Sequence, residues 1–467
     1  MKHIYIKQLL AAALIAFGTA ASAQDFMADG IYYYIEEGDK QECRVAPGDK
    51  DYEGMVSIPE TVTYGEATYT VTAIGDYAFN DCTGLTGVAI PETVTEIGRN
   101  AFAGCTSLTS VTIPNSVGKI GNNAFEYCSG LQEATLPATL DTISSNLFLF
   151  CTSLAAAPIP AGAKVIGESA FSRCNALTAV SIPDGVEEIG RFAFEGCKSL
   201  ASVALGSTVS AVCEYAFSNC SALASLDLGT SVQTIGNYAF RGCTALTTVK
   251  VPASATQIGE CAFYGCTGLT DISLGSSLQA IGDFAFFGCT GLTKVVIPDA
   301  VTTVGACAFY SCTALEAVTI GQAVDTIGNQ AFKDCPALSD IFMLCATPPT
   351  LDGGDWLDGG ANLRVNLYIP EGSLSAYMSA TGFFMFHNVE EIDPASVGAA
   401  TATGALTVKA AAGTIVVENA KGRVSVYDAA GALLRSATPT DGCATFTLPQ
   451  GRVYVVKAGG SATKVAM

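Results

Sequence analysis

A phenylalanine returns every 23 residues, at Phe79, Phe102, Phe125, Phe148, Phe171, Phe194, Phe217, Phe240, Phe263, Phe286, Phe309 and Phe332. Three residues after each stands a Cys, from Cys82 to Cys335, and three after that a Leu, from Leu85 to Leu338. Four residues before the Phe stands a Gly, as at Gly75 and Gly98, with Ser144 and Cys213 as exceptions. A strict period of this length marks a stacked array. One short unit cannot close a core alone, so each unit must cover the apolar side of its neighbour.

Spacing within the unit suggests its path. Val111-Thr112-Ile113 alternates apolar and polar, which predicts a short strand with one face inward. Pro114 cannot donate to a ladder and ends it. Gly98 marks a point that needs either a positive φ or close backbone approach. Ala-Phe-x-x-Cys-x-x-Leu brings apolar side chains round about every three residues, as a short helical or 3₁₀ turn would. The expected fold is therefore a repeat solenoid with one coil per Phe, about twelve in all, each a short strand plus a turn, 3₁₀ segment or short helix. The unit Ile-Gly-x-x-Ala-Phe-x-x-Cys-x-x-Leu-x-x-Val-x-Ile-Pro, seen at 97–114, resembles the BspA-type leucine-rich repeat of bacterial surface proteins. That resemblance covers residues 74–343. It implies a curved right-handed solenoid, secretion, a role in adhesion or host interaction, and no enzyme activity.

The flanks read differently. Lys2 and Lys7, the apolar stretch Leu9 to Phe17 and the small residues Ala21-Ser22-Ala23 form a secretory signal over 1–23, cleaved near Ala23 before Gln24. The stretch is too short to span a membrane, and no later apolar run reaches the roughly 18 residues a span needs. No Cys follows the cleavage site, so lipid attachment there is not expected. Residues 24–73 are expected to form an N-terminal β cap. It would hold a strand at Gly30 to Tyr34, the array-like ending Ile58-Pro59 and a hairpin through Tyr64, Gly65, Tyr69 and Val71. Residues 344–394 are expected to form a C-terminal cap, with a strand at Val365 to Ile369 and a short helix from Ser373 to Tyr377. Residues 395–467 read as a small β-sandwich-like domain, with strands at Leu406–Val408, Ile415–Val417, Val424–Tyr427 and Val453–Val456. Val-Tyr-Asp-x-x-Gly at 426–431, Leu448-Pro449-x-Gly451 and the ending Lys464-Val465 resemble C-terminal sorting domains of Bacteroidetes. That resemblance implies export across the outer membrane and retention at the cell surface.

Composition excludes some classes of function. The formal net charge is −20, and loss of Lys2 and Lys7 would make it more negative still. Nothing supplies the positive face that displaces counterions from nucleic acid, so no nucleic-acid partner is expected. Of the two histidines, His3 lies in the signal. His387 alone remains, beside Phe386 and Asn388, and reads as a cap residue. Histidine-based catalytic or metal clusters are thus unsupported, and no cofactor is expected. Twelve of the eighteen cysteines share one phase of the repeat, so they read as small buried hydrophobes with free thiols. Pairing of Cys43, Cys213, Cys345 and Cys443 is left open by the sequence. Asp352, Asp355 and Asp358 recur every three residues in an Asp-Gly loop and are a calcium candidate. Their spacing matches no known calcium loop, and the loop can equally cross the end of the array with Trp356 as a plug.

Binding is the function left. The position after the repeat Phe is usually polar, but in three successive coils it becomes Tyr264, Phe287 and Tyr310, with Phe284 close by. Equal phases align along the array, so these rings should form a ladder suited to a protein or glycan ligand. The alternative is a ladder half-buried in neighbouring loops. A second candidate is the band of charges Asp227, Lys250, Asp271 and Lys294 on an otherwise weakly polar strand face. The expected protein is a monomeric, secreted or surface-held, non-catalytic adhesin-like module for a host or bacterial partner. The competing expectation is a structural spacer that presents a cell-surface assembly.

Overall fold

The computed structural model describes residues 25–36, 41–49, 51–353 and 355–398, and in the C-terminal region 407–411, 414–418, 423–428, 433–439, 443–449, 453–458 and 461–466. The expected leader 1–23 with its cleavage site lies outside the described residues. So do Gly354 of the Asp-Gly loop, Leu406, and the turn residues 429–431 and 441–442. Two compact units are present, Met1–Gly229 and Thr230–Met467.

In the first unit the chain climbs through two ladders of parallel strands. One ladder runs through Glu42–Val45, Ala67–Ile74, Glu96–Ile97 and Lys119–Ile120. It has a counterpart in Thr142–Ile143, Val165–Ile166, Glu188–Ile189 and Ala211–Val212. The other ladder pairs Ser110–Thr112 with Glu133–Thr135, and joins Ala179–Ser181, Ser202–Ala204 and Ser225–Asp227. Register partners such as Ile120 and Ile97 hold the same place in successive repeats. The strand expected at 111–113 is thus present one residue earlier, and the Ile113 N–H still donates to the Thr135 carbonyl at 3.0 Å. The two-residue strands were not foreseen, since a strand of two leaves no alternation to detect.

Of the expected alternatives, turn, 3₁₀ or short helix, the Ala-Phe-x-x-Cys-x-x-Leu stretch adopts a chain of turns. Two residues per repeat adopt a positive φ, one two places before the Phe and one two places after, as at Asn100 (55°) and Gly104 (74°). These left-handed residues aim alternate N–H groups along the stack. Asn100, Phe102 and Gly104 donate to Asn122, Ala124 and Glu126 of the next coil at 3.1, 2.8 and 2.7 Å. N–H groups committed to the next coil cannot propagate a helix. Between them, local turns close through Ala103 to Asn100 and Cys105 to Phe102. The repeat Gly has a different role from these. Gly98 has no positive φ, but a Cβ there would lie 2.5 Å from the Asp76 nitrogen and 2.6 Å from the Gly75 carbonyl carbon. Close approach of coil to coil is therefore what excludes a side chain. Where Ser144 replaces the Gly, its hydroxyl donates to the Ile120 carbonyl of the previous coil.

Phe, Cys and Leu all face the core and are almost wholly buried. Phe102 and Phe125 stack at 5.2 Å and 1°, and the stack begins at Phe79 with Tyr52 edge-on at 4.9 Å. Each thiol also has a hydrogen bond. Cys105 donates to the Phe79 carbonyl at 3.1 Å and Cys128 to that of Phe102 at 3.1 Å, an arrangement repeated coil after coil. The carbonyl that accepts this S–H also accepts the N–H three residues on, so one thiol fills the second lone pair of a buried oxygen. Valine or alanine would leave that lone pair empty, which explains a column of Cys. All eighteen cysteines are free.

The second unit repeats the plan. Two-residue strands run in parallel from Thr234–Ile235 through Gln257–Ile258, Ala280–Ile281, Thr303–Val304 and Thr326–Ile327 to Thr350–Leu351. On the other side Thr248–Lys250 pairs with Asp271–Ser273. A five-stranded parallel sheet joins Lys294–Val296, Ala317–Ile320, Asp340–Met343, Asn366–Pro370 and Asn388–Ile392. The protein is a parallel-strand β-solenoid of about 14 turns. The excess over the Phe count comes from Glu42–Val45 and Thr350–Leu351, which pair into the ladders without carrying the Phe-Cys-Leu signature. Trp356 packs edge-on to Phe332 at 6.1 Å and against Phe383 at 5.4 Å, so an aromatic ends this stack too. A short helix, Leu374–Ser379, follows.

Farther on, Thr407–Ala411, Thr414–Glu418 and Ala444–Thr447 form one antiparallel sheet. Leu433–Ala437, Val424–Asp428, Val453–Ala458 and Ser461–Ala466 form another. Ile415, Val417, Val424, Val426, Phe446, Tyr454 and Val456 share one apolar cluster. Among the described residues no helix is long and apolar enough to cross a membrane.

Candidate binding surfaces

The three rings picked from the sequence do form a ladder. Tyr264 and Phe287 lie 4.7 Å apart at 1°, and Phe287 and Tyr310 lie 5.1 Å apart at 4°. Phe284 meets Phe287 at 6.0 Å, tilted by 47°. Arg241 extends the column, its guanidinium 5.7 Å from the Tyr264 centroid. Lys333, bonded to Asp355 at 3.0 Å and held above its ordinary pKa by that bond, occupies the same phase one coil after Tyr310. All four rings are half-buried.

Sequence reasoning missed what lies beside them. The left-handed position next to the column holds Gly242, Gly265 and Gly288, at φ 71°, 69° and 69°. A Cβ at Gly265 would meet nothing within 4 Å, and one at Gly288 only the Gly265 Cα at 4.0 Å. The rings therefore border an open strip. In the first unit side chains fill the equivalent place: a Cβ at Gly196 would strike Arg173 at 2.8 Å. Tyr127 and Phe150 stand at that left-handed position and stack at 5.0 Å. Tyr127 is 51% exposed, more than any ring chosen from the sequence. The signal was present in the column two places after the Phe, but only an aligned pair of aromatics marks it.

The charged band divides. Asp227, Lys250, Asp271 and Lys294 are all exposed. Lys250 lies opposite Ser273, and Asp271 opposite Thr248, so the two belong to different rows of the face. Asp227 accepts the N–H of its own Gly229 at 2.9 Å. In the calcium-candidate loop two of the acids already have partners. Asp355 is bonded to Lys333, whereas Asp358 accepts the Asp334 N–H at 2.8 Å and lies 3.6 Å from Arg364. Asp355 and Asp358 are thus turned to separate partners, and no group of three or more potential metal ligands stands among the described residues. His387 is exposed, with its N–H on the Asn362 carbonyl at 3.1 Å.

The thiols are chemically quiet. Burial pushes Cys197, Cys266 and Cys335 up to about 12, and Cys213, half-buried beside Glu188, up to about 11. A thiolate is the reactive form, so these groups cannot serve as nucleophiles near neutral pH. A further polar arrangement lies on the five-stranded sheet. Phe342 and Tyr368 stack at 4.5 Å and 8°. Asp340 beside them accepts from Ser339 Oγ at 2.6 Å, Asn366 Nδ2 at 2.9 Å and Tyr368 Oη at 3.2 Å. Burial, then the charge of Asp340, raises the pKa of Tyr368.

The pattern of the BspA type leucine-rich repeat region matches residues 60–178, 164–272 and 233–347, more than half of the chain. No curated protein gives a match. Among solved structures, a leucine rich cell surface protein from Faecalibacterium prausnitzii A2-165 is 29% identical, covering 70% of this chain and 96% of its own, with a TM-score of 0.42. A leucine-rich repeat protein from Bacteroides ovatus is 26% identical over 68% of this chain and 94% of its own, TM-score 0.42. The pneumococcal vaccine antigen PcpA is 17% identical over 80% and 99%, TM-score 0.44.

Proposed function

The chain belongs to the BspA-type leucine-rich repeat family, and we propose on that premise that it is an exported, surface-associated binding protein without catalytic activity. The observation that carries this reading is the ring column Tyr264, Phe287 and Tyr310 beside the open strip of Gly265 and Gly288. Neighbours occupy both faces of Phe287 and, with Arg241, of Tyr264, leaving mainly edges and bare backbone for a partner. Sugars pack on ring faces, whereas apolar and aromatic protein side chains pack well against ring edges. A protein ligand is accordingly favoured over a glycan, in an adhesin-like role toward a host or bacterial surface. Residues 24–73 and 344–394 act as caps of a monomeric array. The strands after 407 form a sorting domain that retains the protein at the surface once the leader has been removed.

Arrays of surface proteins and glycans test the ligand. Binding to a protein that is lost in Tyr264→Ala plus Phe287→Ala supports the reading. Failure to bind on either array favours the spacer role instead. Surface display unchanged by truncation at 394 would remove the sorting role.

A further inference from the structure

Two half-buried aromatics in this chain are each met by an arginine that also meets a carboxylate. Arg99 lies 5.6 Å from the Tyr77 ring centroid and 3.8 Å from Asp76. Arg191 lies 5.5 Å from the Phe192 centroid and 2.9 Å from Glu214. The arrangement is stable because a guanidinium is weakly hydrated, stacks on a ring and bonds a carboxylate in the same plane.

The five-stranded sheet carries the same parts without the cation. Phe342, Tyr368 and Glu390 are successive register partners on three adjacent strands. Phe342 covers one face of Tyr368. The other face is turned toward the strand of Glu390, which is exposed. Asp340 adds a second negative charge beside the rings and is satisfied by neutral donors alone. Among the described residues, no Lys or Arg forms an ion pair with Asp340 or Glu390 or lies over either ring. Val296, 46% exposed, extends the row two strands away, with Thr319 between. A strip of apolar and aromatic side chains is thus edged by uncompensated negative charge, on a chain whose net charge is −20.

We propose that this sheet face docks an arginine-bearing segment of a basic polypeptide, with one guanidinium laid on the free face of Tyr368 and bonded to Glu390. Arginine suits the site better than lysine because only its planar head can stack and bond a carboxylate together. The acidic surface draws such a partner in. This inference shares with the function proposed above only the premise of a binding protein. Its residues are distinct from the Tyr264 column, so either site can fail alone.

The test uses the full chain and a blocked, fluorescent Arg-Gly-Arg-Gly-Arg peptide, followed by anisotropy at low ionic strength. Its citrulline counterpart, equal in shape but uncharged, is the control. The arginine peptide should bind and the citrulline peptide should not. Glu390→Gln, an exposed isosteric change, should weaken binding by about two- to fivefold. Tyr368→Thr should weaken it similarly; Thr319 already holds this row one strand from Phe342. Glu133→Gln, an exposed acid in the first unit, should leave affinity unchanged. Equal weakening by all three would reduce the effect to general attraction and overturn the proposal. So would wild-type affinity in Glu390→Gln, or no binding by the parent chain. Column variants such as Phe287→Ala should bind this peptide normally, which separates the two sites.

Discussion

Three glycine-to-alanine substitutions should divide in outcome, because the same added methyl meets three different surroundings. At Gly98 the new Cβ would sit 2.5 Å from the Asp76 nitrogen and 2.6 Å from the Gly75 carbonyl carbon. Both are backbone atoms of the preceding coil, so relief requires the coils to part. Overpacking of this kind costs about 1–3 kcal/mol. Ser144 and Cys213 occupy the same phase in two other coils, which shows that the spacing can adjust and places the cost toward the lower figure. At Gly265 a Cβ meets nothing within 4 Å, but φ is 69°. A left-handed alanine costs on the order of 1 kcal/mol. At Gly118 the space is open and φ is not left-handed. Alanine there only restricts the unfolded chain and should stabilise by about 0.4–1 kcal/mol. Urea unfolding should rank the proteins Gly118→Ala above the parent, with Gly265→Ala and Gly98→Ala both below it. If Gly98→Ala were as harmless as Gly118→Ala, close coil contact would not be the reason for the repeat glycine.

Other outcomes follow from the same structure. Burial raises the thiol pKa values of Cys197, Cys266 and Cys335 from 9.0 to about 12, so unfolding releases protons above pH 9. Their contribution is complete below the unfolded value and falls as pH rises toward the folded one. Thermal unfolding should accordingly be insensitive to these groups from pH 7 to 8.5 and drop steadily above about pH 9, and an alkyl-blocked, exposed-thiol control should not alter that onset. Removal of divalent ions by a chelator should leave the melting temperature unchanged, since Asp355 and Asp358 already have cationic or N–H partners; a clear drop would reinstate the loop as a metal site.

The amount of structure legible in the sequence varied with how far each feature depends on the period. Phe102, Cys105 and Leu108 face the core as their spacing predicted, because any residue returning every 23 places must hold one phase of the coil. The left-handed residues were invisible, since Asn100, Tyr127, Phe150 and Cys261 share no side-chain chemistry. Backbone demand fixes those sites, and the side chain is free to vary. The Tyr264 ladder was legible because it keeps phase. The Phe342 and Tyr368 pair was not, as Tyr368 lies beyond the last repeat Phe and pairs through strand register rather than equal spacing. The role of Cys was half-read. Burial was evident, but its hydrogen bond to a carbonyl of the neighbouring coil needed coordinates.

Counting reactive thiols with and without denaturant tests the coiled stack most directly. In native buffer, Cys443, which is exposed, should react with an aromatic disulfide reagent, whereas Cys213 and Cys307, half-buried and with raised pKa values, should react slowly or not at all. In guanidinium, without any reductant, all eighteen should react. Rapid reaction of the repeat cysteines in the folded protein, or their failure to react once unfolded, would contradict a core built from one sealed thiol per coil.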